Sequence, residues 1–450
     1  GCRAPEVCRE VSNTRVLGVG GGLAGSEAAW QLAEAGVAVE LIEMRPVRRT
    51  PVHTTDRLAE LVCSNSLRGD APANAVGLLK KEMEILDSLV IRIARAAAVP
   101  AGGALAVDRD LFAGGITDAI TAHPLITLER REITELPRGP AIIATGPLTS
   151  PALHRELERF LGEGSLAFFD AVAPIVANDS IDHSRVFRAS RYDKGGDDYL
   201  NLPLERDAYE AFVDDLLGAE KVAFKEFEAE DLHYFEGCLP IEVMAERGRD
   251  TLRYGPMKPV GLVDPKTGRQ PWAVVQLRQD DLAADHWNMV GFQTKLTHSE
   301  QKRIFSKLPG LKGARFVRLG LIHRNTFINA PAHLDGSLRL VTRPDLRLAG
   351  QMTGVEGYVE SAATGLIAAR MLAAEIAGIE TEPLPMTTAL GGLVRHLTAR
   401  SAAAFQPANI TWGLIACPAE LRVIRKKRER RVAQYDRALE DIVRWKAGPV

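Results

Sequence analysis

One stretch restricts the fold more than any other: "RVLGVGGGLAGSEAAWQLAEAGVAVELIEMR", from Arg15 to Arg45. It reads as strand, glycine turn, helix and second strand. Gly20, Gly21, Gly22, Leu23, Ala24 and Gly25 satisfy G-x-G-x-x-G. "VLGV" before the turn is a short apolar strand, and "SEAAWQLAEAG" after it is an Ala-rich helix with a Gly stop. Each glycine has a physical task. The first permits the tight turn, the second lets backbone approach a pyrophosphate, and the third lets helix and strand pack closely. Phosphate then sits at the helix N-terminus. Glu43 ends the second strand, 18 residues after Gly25, where a carboxylate accepts hydrogen bonds from ribose hydroxyls. The glycine motif alone is weak evidence. With strand, helix, second strand and acid all in place, it predicts a Rossmann-like dinucleotide-binding domain.

Two later stretches look like parts of that domain. "PAIIATGPLTSP" (140–151) runs an apolar strand into Ala144, Thr145 and Gly146. "LRLAGQMTGVEGYVESAATGLIAARMLA" (346–373) is a strand, a glycine-rich turn holding Gly350 and Gln351, and a helix opening at Tyr358. Flavoproteins of the glutathione-reductase type use such a late strand–turn–helix near the flavin. The domain is then discontinuous: 15–184 and 318–450 form it, and 185–317 are inserted as an α+β domain. A second G-x-G-x-x-G in a strand–helix context is lacking, so a nicotinamide donor has no dedicated domain. "LRVIRKKRERRVAQYDRALEDIVRWK" (421–446) reads as one long basic helix burying Leu421, Ile424, Val432, Leu439 and Ile442. Such a face suits nucleic-acid phosphates, although most charge runs are merely solvated.

Formal net charge is −2, so any nucleic-acid surface must be a local patch. Cys2, Cys8, Cys63, Cys238 and Cys417 are odd in number and widely spaced. Without a C-x-x-C pair or a Cys/His cluster, they argue against a disulfide framework and against a metal site. The first 14 residues lack the apolar core of a signal peptide and are expected to be a disordered leader. No apolar run is long enough to span a bilayer. A cytoplasmic protein with reduced thiols is expected.

"GGGLAGSEAAWQLA", "EMRPVRRTPVHTTD", "ELVCSNSLR", "VPAGGALAVDRD", "IIATGPLTSP", "FEGCLPIE", "RYGPMKPVGL", "VVQLRQD", "GFQTKLTHSEQ" and "AGQMTGVEGYVESAATG" together resemble the folate- and FAD-dependent tRNA uracil-5-methyltransferases, the TrmFO family. The resemblance runs from about Arg15 to the C-terminus. It implies that methylenetetrahydrofolate supplies a one-carbon unit and reduced FAD the electrons, giving 5-methyluridine at position 54 of the tRNA T-loop. NADPH or NADH would regenerate the flavin. A related, larger family modifies tRNA wobble uridines and shares the glycine motif and the "AGQ…GY" segment. It normally carries a further C-terminal helical domain. That activity, or a small-molecule flavin oxidoreductase, is the alternative.

The chemistry demands a thiol. Uracil C5 is a poor nucleophile until a thiolate adds at C6 and makes the ring enolate-like, which calls for an accessible cysteine in an electropositive setting. An unpaired cysteine is most often a small buried hydrophobe. The family's two functional cysteines match Cys63, in "ELVCSNSL", and Cys238, in the turn-like "EGCLP". One would attack uracil and the other engage the methylene on the flavin; which does which is open. His298 in "KLTHSEQ" is ordinarily a helix-start residue, but the family motif implies a ring stacked on the pterin. Tyr358 would stack on the isoalloxazine or pack in the core. Arg324, in "LIHRNTFINAP", suits the carboxylates of a folate tail or a plain solvated loop. Gln351 stands where many FAD proteins have Asp, and suits ribityl or phosphate oxygens.

Overall fold

The computed structural model describes residues 12–162, 166–193, 196–222, 239–399 and 405–448. Two sheets organise it. The first has six strands in the order Arg339–Leu340, Arg343–Leu348, Ala141–Ile143, Ser12–Val19, Val37–Glu43, Ile126–Arg130. All neighbours are parallel except the hairpin at the Arg339–Leu340 edge. This is the doubly wound arrangement expected of a Rossmann-type domain, whose ligands bind beyond the strands' carboxyl ends. Ser12 already pairs with Val37, so the expected leader ends before Thr14. Strands buried on both faces need near-continuous apolar runs, as "VLGV" and "AII" supply.

The helices Leu23–Glu34 and Tyr358–Ile376 lie against each other. Small residues make this possible. A Cβ on Gly365 would stand 2.1 Å from the Ala24 carbonyl oxygen. The two helix N-termini therefore converge on one end of the parallel sheet.

The second sheet is antiparallel, in the order Phe187–Arg188, Tyr199–Leu204, Ala273–Gln279, His286–Met289, Ile175–Ala177, Phe316–Arg318. The helices Arg206–Gly218 and His298–Phe305 cover it over a core of Tyr209, Phe212, Trp287, Phe292 and Phe305. Ile175–Ala177 belongs here, although the sequence placed everything before 185 in the nucleotide-binding part. A three-residue apolar run has no period that tells one sheet from another. A ribbon of Leu166–Ala171 with Ile322–Phe327 runs between the two sheets in sequence.

The C-terminal helix is Lys427–Ala447, shorter than the expected span from 421. It buries Ala438 and Ile442, while Val432 is exposed and Leu421 closes a 3-10 turn. Arg422, Arg425, Lys426, Lys427 and Arg428 are exposed.

Candidate active site

A cleft with about 1130 Å³ of empty space, its solvent-open mouth included, lies at the end of the parallel sheet. Gly20, Gly22, Leu23, Ala24, Glu43, Cys63, Gly146, Gly350, Gln351 and Tyr358 all line it. The glycine turn forms one wall. Gly20 has φ +101°, and a Cβ there would meet the Ala144 carbonyl oxygen at 2.6 Å. A Cβ on Gly25 would stand 1.8 Å from the Gly20 oxygen, so the third glycine holds the helix against the turn. Around Gly22 a Cβ would meet nothing within 4 Å. The helix that follows starts without a side-chain cap. Its first-turn N–H groups are thus left for an anionic ligand, and the glycine keeps the approach clear.

Glu43 is buried beside this turn. Its carboxylate accepts from the Gly21 N–H at 2.8 Å, and from the Arg45 N–H and Nε, each at 2.9 Å. Burial pushes its pKa up, but Arg45 and these N–H donors outweigh burial and hold the carboxyl below its ordinary range. An anionic acceptor thus stands on the cleft wall beside the glycine turn. His53, also on the cleft wall, is pushed down to about 4, by burial first and then by the Arg45 charge.

Gly146, Gly350 and Gly357 all take positive φ, at +68°, +84° and +104°. Gly357 is the N-cap of Tyr358–Ile376, and it too lacks a side-chain cap. The cleft thereby receives a second uncapped helix N-terminus. The Gln351 amide nitrogen donates to both Glu356 carboxylate oxygens, at 3.0 and 2.9 Å. That side chain is anchored to the protein rather than offering its N–H groups to a ligand.

Tyr358 is tied to Cys63. Its hydroxyl oxygen accepts from the Cys63 N–H at 2.8 Å and the Ser64 N–H at 3.2 Å, and lies 2.9 Å from Cys63 Sγ. With both lone pairs engaged, the hydroxyl hydrogen points to sulfur. Burial, and then the neighbouring Cys63, raise the Tyr358 pKa well above its ordinary value, so it remains a phenol with a proton to share. Arg109 and Arg318 both interact electrostatically with Cys63. The Tyr358 hydroxyl and two positive charges are thus within electrostatic reach of the thiol.

The second sheet grips the same loop. Arg278 donates to Asn65 Oδ1 at 2.9 Å and to Ser64 Oγ at 2.7 Å, and the Asn65 amide donates to the Gln279 carbonyl at 2.9 Å. Sequence reasoning assigned no role to Arg109, Arg278 or Asp280. Their motifs, "AVDRD" and "QLRQD", were visible, but a pairing across 171 residues leaves no periodic trace.

Cys238 lies outside the described residues. His298 is the exposed first residue of His298–Phe305 and does not line the cleft. Arg324 lies on Ile322–Phe327, with a side chain outside the described set. Among the described residues no group of His, Cys, Asp and Glu is arranged for a metal ion, and no helix is long and apolar enough to cross a membrane.

The sequence model of the family described as glucose inhibited division protein A matches residues 15–380. The methylenetetrahydrofolate–tRNA-(uracil-5-)-methyltransferase TrmFO of Rhodospirillum rubrum is 58% identical over 447 residues, covering 96% of this chain and 92% of that one. The chain belongs to the TrmFO family. The TrmFO of Listeria monocytogenes serotype 4b is 55% identical over 95% of this chain and 97% of its own. That of Paramagnetospirillum magneticum is 59% identical over 93% and 94%. Among solved structures, Aquifex aeolicus GidA superposes with a TM-score of 0.67, covering 95% of this chain and 74% of that one. At 14% identity this likeness is one of fold. TrmFO relatives thus carry the methyltransferase name over nearly the whole chain, and they favour neither wobble-uridine modification nor a small-molecule oxidoreductase.

Proposed function

We propose that this protein methylates C5 of uridine 54 in the tRNA T-loop, using methylenetetrahydrofolate as one-carbon donor and reduced FAD as electron source. NADPH or NADH is the terminal reductant, and the setting is cytoplasmic. The observation that carries the reading is the position of Cys63. A thiol held 2.9 Å from a tyrosine hydroxyl lines the same cleft as the dinucleotide turn. We take the parallel sheet with its helices as the FAD domain and the antiparallel sheet as an insert starting near residue 172.

The residues fit FAD. The uncapped turn at Gly22–Leu23 would hold the pyrophosphate, and Glu43 would accept from the ribose. Gly146, Gly350 and the start of Tyr358–Ile376 line the same cleft and would border the flavin. Bound there, FAD supplies the electrons that take a methylene to a methyl group. The protein does the rest. Two thiols, Cys63 and Cys238, divide the work: one adds to uracil C6, making C5 nucleophilic, and the other serves the one-carbon unit. Tyr358 keeps Cys63 on the cleft wall and donates to its sulfur. The target base must leave its stack for C6 to meet a thiol. His298 serves the pterin only if folate or tRNA draws its helix toward the cleft.

The test is direct. The protein is incubated with unmodified tRNA transcript, methylenetetrahydrofolate, FAD and NADPH, and 5-methyluridine is measured by mass spectrometry. Product is expected at position 54, and Cys63→Ala and Cys238→Ala should each abolish it. Fast NADPH oxidation with no 5-methyluridine would overturn the assignment.

A further inference from the structure

Arg109, whose charge reaches Cys63, is also built into the seam beside the site. It opens the helix Arg109–Ala122. Its Nε donates to both oxygens of Asp280, at 3.1 and 3.0 Å, and Asp280 follows directly on the Ala273–Gln279 strand of the second sheet. Its Nη1 donates to the carbonyl oxygen of Leu61, two residues before Cys63. Its Nη2 is buried and has no hydrogen-bond partner. The neighbouring Asp108 reinforces the seam, accepting from Leu282 N–H at 2.9 Å.

A buried guanidinium with one nitrogen unclaimed is costly unless its charge serves something nearby. Other groups stand near the thiol as well. Tyr358 donates its hydroxyl. Arg318, tied to the Val52 carbonyl at 3.2 Å, adds a second positive charge. Arg278 donates to the hydroxyl of the next residue, Ser64. Arg109 alone among these both grips the Cys63 loop through its backbone and is held by a carboxylate of the second sheet.

We propose that Arg109, clamped by Asp280 across the seam between the two sheets, is a positioning residue that holds Cys63 as a thiolate on the cleft wall. The seating of the inserted domain then sets the reactivity of the thiol. This rests on the reading that Cys63 takes part in methyl transfer, but the readout is independent of turnover.

The experiment is alkylation of Cys63 by iodoacetamide in the full-length flavoprotein, without tRNA or folate. It is followed on the Cys63 peptide by mass spectrometry from pH 5.5 to 9.5. Wild type is expected to half-titrate below the ordinary thiol value of about 8.5. Arg109→Gln should move the midpoint up by about one unit, which slows alkylation at pH 7 by about tenfold. Arg109→Lys keeps the charge and should stay near wild type. Asp280→Ala frees the guanidinium and should slow alkylation as Arg109→Gln does. A wild-type profile in a folded Arg109→Gln protein overturns the proposal; should that variant not fold, a wild-type profile in Asp280→Ala does so. Slow alkylation in Arg109→Gln with undiminished 5-methyluridine formation would support the positioning role and remove Cys63 from the reaction instead.

Discussion

The glycine turn offers a prediction in which stability and cofactor binding separate. A methyl group at Gly22 enters open space, and the backbone there, φ −73° and ψ −171°, suits alanine. Exchanging Gly for Ala at an N-cap costs only up to about 1 kcal/mol. Gly22→Ala should therefore melt within about 2 °C of wild type when both are stripped of flavin. The same methyl occupies the approach a phosphate needs to reach the uncapped first turn. Losing one charge-assisted hydrogen bond costs about 1.5–3 kcal/mol, a roughly 10- to 150-fold weaker flavin affinity. Gly25→Ala is the control. Its Cβ would lie 1.8 Å from the Gly20 oxygen, against 3.4 Å or more in ordinary contact, so turn and helix must part by about 1.6 Å. Overpacking of that kind costs about 1–3 kcal/mol before any ligand is considered. Gly25→Ala should lose both melting temperature and flavin; Gly22→Ala should lose flavin alone. The assays are differential scanning fluorimetry of the apo proteins and fluorescence titration with FAD. Wild-type flavin affinity in Gly22→Ala would refute the placement of the pyrophosphate at this helix.

Tyr358→Phe leaves the Cys63 and Ser64 N–H groups without their acceptor and the sulfur without its donor. Expected are a fall of about 1–3 kcal/mol in denaturant stability and at least a tenfold loss of 5-methyluridine formation, with flavin content retained. Reversing Arg425, Lys426, Lys427 and Arg428 to Glu should raise KM for tRNA and flatten its dependence on salt, leaving NADPH oxidation unchanged; equal salt slopes would show that this patch is only solvated. Glu82 is fully buried, and burial raises its pKa to about 8 despite hydrogen bonds from the Ala389 and Leu390 N–H groups. A carboxyl raised on folding adds stability below its unfolded value near 4.5, and that stability is lost as pH rises toward 8. By pH 7 the loss is on the order of 3 kcal/mol, so the melting-temperature advantage of Glu82→Gln over wild type should grow from pH 5 to pH 8; a constant difference would contradict it.

The fold was largely legible because its signals are local. Gly25 answers a steric demand made five residues away by the Gly20 oxygen, Gly20 takes φ +101°, and Glu43 closes a unit only 24 residues long from Gly20. The late strand at Arg343–Leu348 and the helix at Tyr358 repeat that grammar, and the cleft gathers both. What stayed illegible was partnership. Nothing near Gln351 announces that Glu356 will take its amide, and nothing in 421–426 tells that the C-terminal helix opens only at Lys427. The strand Ile175–Ala177 was misplaced because its neighbours in the sheet are more than a hundred residues away.

Cys63 shows why partnership matters to function. Its loop makes almost no regular structure of its own, so the thiol's position must be imposed from outside. Tyr358 imposes it from a helix that borders the cleft, and Arg278, Gln279 and Asp280 impose it from the far sheet, the last through Arg109. Had the loop been fixed by the nucleotide-binding domain alone, the thiol would stand equally ready whether or not the inserted domain were in place. Held from both sides, the thiol would, on the proposal above, be in position only when both sheets are seated, which would confine a reactive sulfur to the assembled site.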